Sequence, residues 1–131
     1  MAKFIHLMIR VLDLDASLRF YADAFGLAES HRLDFPDFTL VYLRNADNDV
    51  EVELTLNKTR TEPYTHGDGY GHVAFVVDHL DDEHARFAAA GFAPEDIKEF
   101  APDGNLLARF FFVEDPDGYR IEMLERHGHY Q

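Results

Sequence analysis

The sequence contains no cysteine among its 131 residues. That excludes disulfides, thiolate metal sites and a cysteine nucleophile. Cations are scarce as well: 12 Lys and Arg stand against 25 Asp and Glu, a formal net charge of −13. Such an acidic chain is a poor partner for nucleic acid or an anionic membrane surface, because each phosphate contact needs a cation. Long hydrophobic runs are missing, and the apolar stretches fall well short of the roughly 20 residues that cross a bilayer. The opening Met1-Ala2-Lys3-Phe4-Ile5-His6 lacks a long apolar segment ending in small residues, so it does not read as a signal peptide. G-x-S-x-G, P-loop and dinucleotide G-x-G-x-x-G motifs are absent. A serine triad has little to build on, with only Ser17 near a helix start. These absences point to a soluble, cytoplasmic domain without a nucleic-acid or membrane partner.

What is present suits one globular domain. The chain is near the usual domain length of about 150 residues. Hydrophobic residues at 47% supply a core, and charged residues at 28% argue against both a membrane protein and a disordered one. Twelve Phe and eight His stand out.

Periodicity divides the chain into two similar halves. Residues 4–11 form a short β-compatible run, after which Asp13 or Asp15 can cap a helix. Leu18, Tyr21, Ala22 and Phe25 then follow at helical spacing, and Gly26 suits the position past the helix end. Strands are predicted over 38–44 and 50–56, with a turn at Asn45-Ala46-Asp47-Asn48. The second half repeats the order: a strand over 71–77, and a helix capped by Asp78 with Leu80, His84, Phe87 and Ala88 on one face. Gly91 ends that helix. Further strands follow over 106–113 and 119–124, joined by a turn at Asp115-Pro116-Asp117-Gly118. An extra strand near Leu33 and another near Phe100 would complete β-α-β-β-β in each half.

A shift of 66 positions sets His6 on His72, Val11 on Val77, Leu14 on Leu80 and Asp15 on Asp81. Towards the ends of the halves, Val52-Glu53-Leu54 matches Ile121-Glu122-Met123. The organisation expected is one domain over 1–131 built from a first module (1–57), a linker (58–69), a second module (70–126) and a tail (127–131). A module of about 60 residues buries little surface alone, so the two should pack together or pair with another chain.

Strand alternation then sorts the polar residues. Ile5, Leu7, Ile9 and Val11 share one face of the first strand, opposite His6, Met8 and Arg10. Val52, Leu54 and Leu56 lie opposite Glu51, Glu53, Thr55 and Asn57. Val73, Phe75 and Val77 lie opposite Tyr70, His72, Ala74 and Val76, while Ile121 and Met123 lie opposite Arg120 and Glu122. The faces turned from the helices thus carry His6, Glu53, His72 and Glu122, one His and one Glu at equivalent places in each half. Curled together, the two sheets would form a cup with a two-His, two-Glu centre. Neutral imidazole with carboxylate suits Zn, Ni, Co, Fe or Mn, and four protein ligands would leave an octahedral ion two open positions. Glu51 reads as a solvated strand residue, and the remaining histidines show no such pairing. His127-Gly128-His129 reads as a polar tail. In Phe110-Phe111-Phe112, the central ring faces away from its neighbours and the run reads as strand core.

The segments His6-Leu7-Met8-Ile9-Arg10-Val11, Phe20-Tyr21, Glu53-Leu54-Thr55-Leu56-Asn57, Tyr70-Gly71-His72-Val73-Ala74 and 113–122 together resemble glyoxalase I (lactoylglutathione lyase) of the vicinal oxygen chelate superfamily. The likeness spans nearly the whole chain. D-P-D-G followed by an apolar-Glu pair is common across that superfamily, whereas E-L-T-x-N together with Y-G-H is more specific. The resemblance implies an α+β fold of two tandem βαβββ modules and a homodimer with shared active sites. It implies conversion of the glutathione–methylglyoxal hemithioacetal to S-lactoylglutathione by proton transfer through a metal-bound enediolate. His6, Glu53, His72 and Glu122 would be the metal ligands, Glu122 the main catalytic base, and Glu53 a ligand or second base. Arg10 and Asn57 match residues that contact glutathione. The short chain is similar to the bacterial type that prefers nickel or cobalt over zinc.

One departure stands in residues 101–109, where the family commonly carries a Lys-Gly-Gly-like stretch near the glutathione carboxylate. The lysine is missing here, and Arg109 or Lys98 is the substitute expected. Relatives of other chemistry share the scaffold: thiol transferases, epimerases, ring-cleaving dioxygenases and metal-free small-molecule binders. The dioxygenases normally use two His and one Glu, and the binders lack the ligand set, so four retained positions favour the isomerase.

Overall fold

The computed structural model describes residues 1–131. In chain order its elements are β1 (His6–Val11), α1 (Leu14–Phe25), β2 (Ala28–Asp34), β3 (Phe38–Arg44), β4 (Glu51–Asn57), β5 (Val73–Val77), α2 (Leu80–Ala89), β6 (Lys98–Phe100), β7 (Ala108–Glu114) and β8 (Arg120–Glu125). They fall into two units, Met1–Thr65 and His66–Gln131. Each unit is βαβββ with a four-stranded sheet, ordered β1-β4-β3-β2 in the first and β5-β8-β7-β6 in the second. The fold is α+β, one topology used twice. In each sheet the first and last strands of the unit lie side by side and parallel, and all other pairings are antiparallel. The predicted extra strands near Leu33 and Phe100 are β2 and β6.

The first core forms on one face of its sheet. Ile9 and Val11 of β1, Val41 and Leu43 of β3 and Leu54 of β4 are all buried. α1 adds Leu14, Ser17, Phe20, Tyr21 and Ala24. The expected helix face is thereby turned slightly: Ala22 is exposed and Ala24 takes the core position. Asp13 caps the helix, its carboxylate accepting from Ala16 N at 2.9 Å, while Gly26 ends it at φ 65°, a conformation that glycine adopts without strain.

In the second unit α2 packs on β7 and β8. Phe87 is fully buried, with its ring edge-on to Phe92 at 5.4 Å and to Phe111 at 5.5 Å. Ala88, expected on this face, is exposed, whereas His84 reaches Glu95 O at 2.8 Å and packs edge-on against Phe111. The predicted Asp78 cap is not made. Its carboxylate pairs with Arg126 Nε at 2.7 Å, the N-cap is His79 without a side-chain hydrogen bond, and Leu80 N turns to Glu125 Oε2 at 3.4 Å. An ion-pair partner from the far end of the unit has outcompeted the local helix terminus.

The Asp115-Pro116-Asp117-Gly118 turn is structural. Asp115 is buried and its Oδ1 accepts from Asp117 N and Tyr119 N, each at 2.9 Å, and Gly118 sits at φ 82°. The turn thereby fixes where β8, and with it Glu122, begins. No helix is long and apolar enough to cross a membrane.

Phe87→Ala should destabilise the fold by about 3–5 kcal/mol, the usual cost of emptying a buried Phe site. Urea denaturation read by circular dichroism measures it, and a loss below about 1 kcal/mol would show that this core is looser than the ring contacts indicate.

Candidate metal centre

The polar face of the first sheet is organised by register. Across the parallel β1–β4 contact His6 is level with Glu51 and Met8 with Glu53, so His6 reaches Glu53 on the diagonal, two residues further along β4. His6 Nε2 lies 2.9 Å from Glu53 Oε2. In the second unit Val73 is level with Ile121, which puts His72, one residue before β5, level with Arg120. His72 Nε2 then lies 2.8 Å from Glu122 Oε2, the same diagonal with the same atoms. The two pairs are repeats of one construction. Within neither unit does a third His, Asp or Glu join the pair to form a larger cluster.

The donor chemistry fits a divalent ion. An imidazole nitrogen and a carboxylate oxygen are the hard-to-borderline ligands that such ions take. Two donors about 2.1 Å from one ion and at right angles to it are about 3.0 Å apart, which is the spacing each pair holds. Both carboxylates are well covered, with side-chain exposures of 9% for Glu53 and 15% for Glu122. A carboxylate is buried only when something satisfies it.

The surroundings of the two pairs differ. Tyr42 of β3 is level with Glu53, and its hydroxyl donates to Glu53 Oε1 at 3.2 Å while the ring stands edge-on to His6 at 5.7 Å. Burial, and then the negative charges of Glu53 and Glu51, raise the Tyr42 hydroxyl above the ordinary phenol range and keep it a proton donor. Phe112 of β7 occupies the matching place beside Glu122, edge-on to His72 at 5.3 Å, and offers no hydroxyl. Arg120 stacks over Phe112 at 4.1 Å and pairs with Glu95. The sequence reading missed Tyr42, although the alternation along β3 marks it: Thr39, Val41 and Leu43 are buried, so Tyr42 faces the other way.

The other predicted residues are placed as follows. Arg10 is an exposed residue on the His6 face of β1. Asn57, at the end of β4, donates its side-chain amide to the Tyr64 hydroxyl at 3.0 Å, and Arg60 lies over the same ring at 4.4 Å. Glu51 is not simply solvated: it is half-buried and its carboxylate is hydrogen-bonded by the Ser30 hydroxyl. Arg109 is not available as a substitute for the missing lysine. It is fastened to Asp81 at 3.0 Å, Glu125 at 2.9 Å and Glu99 at 3.4 Å, and the Asp81 and Glu125 carboxylates hold its guanidinium strongly protonated. Lys98, the other candidate, is exposed on the edge strand β6.

The repeated βαβββ topology with a polar pair on each sheet defines a class, and comparison with known proteins names it. The chain belongs to the glyoxalase/bleomycin resistance protein/dioxygenase superfamily, whose family model matches residues 3–123. Among curated proteins it is similar to the lactoylglutathione lyase of Haemophilus influenzae, 37% identical over 128 residues, 94% of this chain and 92% of the relative. The lactoylglutathione lyase of Neisseria meningitidis is 35% identical, over 95% of this chain and 91% of the relative. Among solved structures, the trypanothione-dependent glyoxalase I of Leishmania major matches with a TM-score of 0.76 and 33% identity, covering 95% of this chain and 87% of that one. Glyoxalase I of Zea mays matches with a TM-score of 0.79 and 27% identity over 96% of this chain, which spans 45% of that longer protein.

Proposed function

We propose that the protein is a metal-dependent lactoylglutathione lyase, isomerising the hemithioacetal of methylglyoxal and glutathione to S-lactoylglutathione. The observation that carries the reading is the repeated His–Glu pair, in a chain whose curated relatives of nearly equal length bear that name. His6, Glu53, His72 and Glu122 would hold the ion, with nickel or cobalt favoured over zinc. When bound, the ion supplies a Lewis acid that stabilises negative charge on the substrate oxygens.

The chain's own residues do the rest. The substrate and product are isomers, so a carbon-bound proton moves from the sulfur-bearing carbon to its neighbour while a hydroxyl proton passes between the two oxygens. No atom or electron is gained. Glu122, the carboxylate without a tyrosine on it, takes the proton from the first carbon and returns it to the second. Glu53, held by Tyr42, remains a ligand. Arg10 lies on the His6 face and supplies positive charge to the anionic thiol, which an overall charge of −13 would otherwise repel. Asn57 offers an amide on the Glu53 face at the far end of β4. Each unit supplies one His–Glu pair, and the active assembly is a homodimer in which His6 and Glu53 of one protomer share an ion with His72 and Glu122 of its partner.

The deciding experiment loads purified protein with nickel, cobalt or zinc, measures metal content and follows thioester formation by absorbance. About one equivalent per chain and turnover dependent on the metal are expected. Protein that holds the ion and makes no thioester would end the lactoylglutathione lyase reading.

Glu122→Gln should lose about 10²–10⁴-fold in kcat, the usual weight of a general base. Arg10→Ala should act mainly on KM, by about tenfold, because its contact is equal in ground and transition states. Steady-state kinetics separates the two, and a kcat effect confined to Arg10→Ala would reverse the assignment.

Sharing between protomers is testable by complementation. A His6→Ala chain mixed with a Glu122→Ala chain should form heterodimers in which one of two sites is intact, restoring up to half the activity per dimer. Inactive heterodimers, verified by mass, would place each site within a single chain.

A further inference from the structure

The two His–Glu pairs are copies, but what stands behind each carboxylate is not. Glu53 presents Oε2 to His6 and has Oε1 held by the Tyr42 hydroxyl at 3.2 Å. The hydroxyl is anchored in turn, because Tyr42 lies level with Glu53 in the β3–β4 ladder and its ring is braced by His6, edge-on at 5.7 Å, and by His31, tilted at 6.0 Å. Glu122 presents Oε2 to His72 in the same way. Level with it in the β7–β8 ladder stands Phe112, whose ring is braced by His72, Phe110 and Arg120 and which has no donor to give. A carboxylate with both oxygens engaged is a fixed ligand. One held on a single oxygen can leave the ion, turn towards a carbon and return.

We propose that Tyr42 is a positioning residue that locks Glu53 as a ligand, and that the Tyr42/Phe112 difference is what assigns proton transfer to Glu122. This rests on the metal-dependent isomerase reading and adds to it a cause for the division of labour between two otherwise equivalent glutamates. Groups behind a ligand typically contribute 10–100-fold to metal affinity by fixing its orientation. Tyr42 does this for one pair, and the other pair trades that affinity for freedom of movement.

The test exchanges the two side chains. Tyr42→Phe, Phe112→Tyr and the double exchange are made in the full chain, and each is compared by chelator competition for nickel and by kcat at saturating nickel. Tyr42→Phe is expected to weaken nickel binding by about 10–100-fold. Phe112→Tyr is expected to hold nickel at least as tightly as the parent while kcat falls about tenfold, since Glu122 must now break a charge-assisted hydrogen bond to move. A variant damaged only in its packing would not gain affinity while losing turnover. In the double exchange the roles should swap, so that adding Glu53→Gln costs more turnover than adding Glu122→Gln. Unchanged nickel affinity in Tyr42→Phe, or unchanged kcat in Phe112→Tyr, overturns the proposal. If the parent chain makes no thioester, the functional reading falls on its own, and the order of nickel affinities still decides what Tyr42 does.

Discussion

A carboxylate kept from water needs a partner, and the placing of two such carboxylates governs this structure. Glu53 is 7% exposed, on the inner strand of a sheet whose other face is the apolar core. Its partner must come from the neighbouring strand, and β1 provides His6 only because β1 and β4 run parallel in the register that makes the diagonal contact. Parallel neighbours cannot be joined by a tight turn, so the chain has to leave and return. It does so through α1, β2 and β3, and the same excursion through α2, β6 and β7 precedes Glu122. The Asp13 cap, the Asp115 turn and the apolar faces all serve to deliver two strands to one register.

Much of this was legible in the sequence because it is written twice. One histidine that matches a histidine and one Glu that matches a Glu carry little weight singly, but their recurrence with the apolar alternation around them indicated the order of elements and set one His and one Glu on the same face in each half. The less legible features depended on contacts distant in sequence. Ala22 and Ala24 are equally small, and only the angle at which α1 meets the sheet decides which is buried. Asp78 is as good a cap by composition as Asp13, yet Arg126 lies 48 residues away and took it. Arg109 read as a spare cation near the position of the missing lysine; three carboxylates from two strands and a helix claim it. Its side chain leans to the α2 side with Phe111, while Phe110 and Phe112 face the other way.

Tyr42 shows a different limit. Its position on the polar face follows from alternation, but its meaning does not, because a tyrosine in a strand is ordinarily packing. Only the folded ladder brings its hydroxyl to the second oxygen of Glu53, where the other unit has the hydroxyl-free Phe112. A repeat reveals what two halves share. The chemistry of an asymmetric reaction would reside in what they do not, here a tyrosine at one place and a phenylalanine at the other.

Charge sets the last constraint. Counting histidine as neutral, each His–Glu pair carries one negative charge, within a chain of net −13. In the proposed site, bringing two such pairs together would set carboxylates against each other, and at about 5 Å with an effective dielectric near 20 their repulsion would be about 3 kcal/mol. A divalent cation held by both pairs would cancel that repulsion and make the proposed site neutral. On the proposed function, assembly and metal binding would therefore be one thermodynamic event, since an ion would bind the joined pairs far better than either alone. The same neutrality would matter for the proposed substrate, because an anionic thiol could then approach a centre whose two carboxylates are balanced, with the cation Arg10 on the His6 face of β1. On the proposed function, an acidic protein would thus handle an acidic substrate without a basic surface, provided that Glu53 and Glu122 are never both left uncompensated.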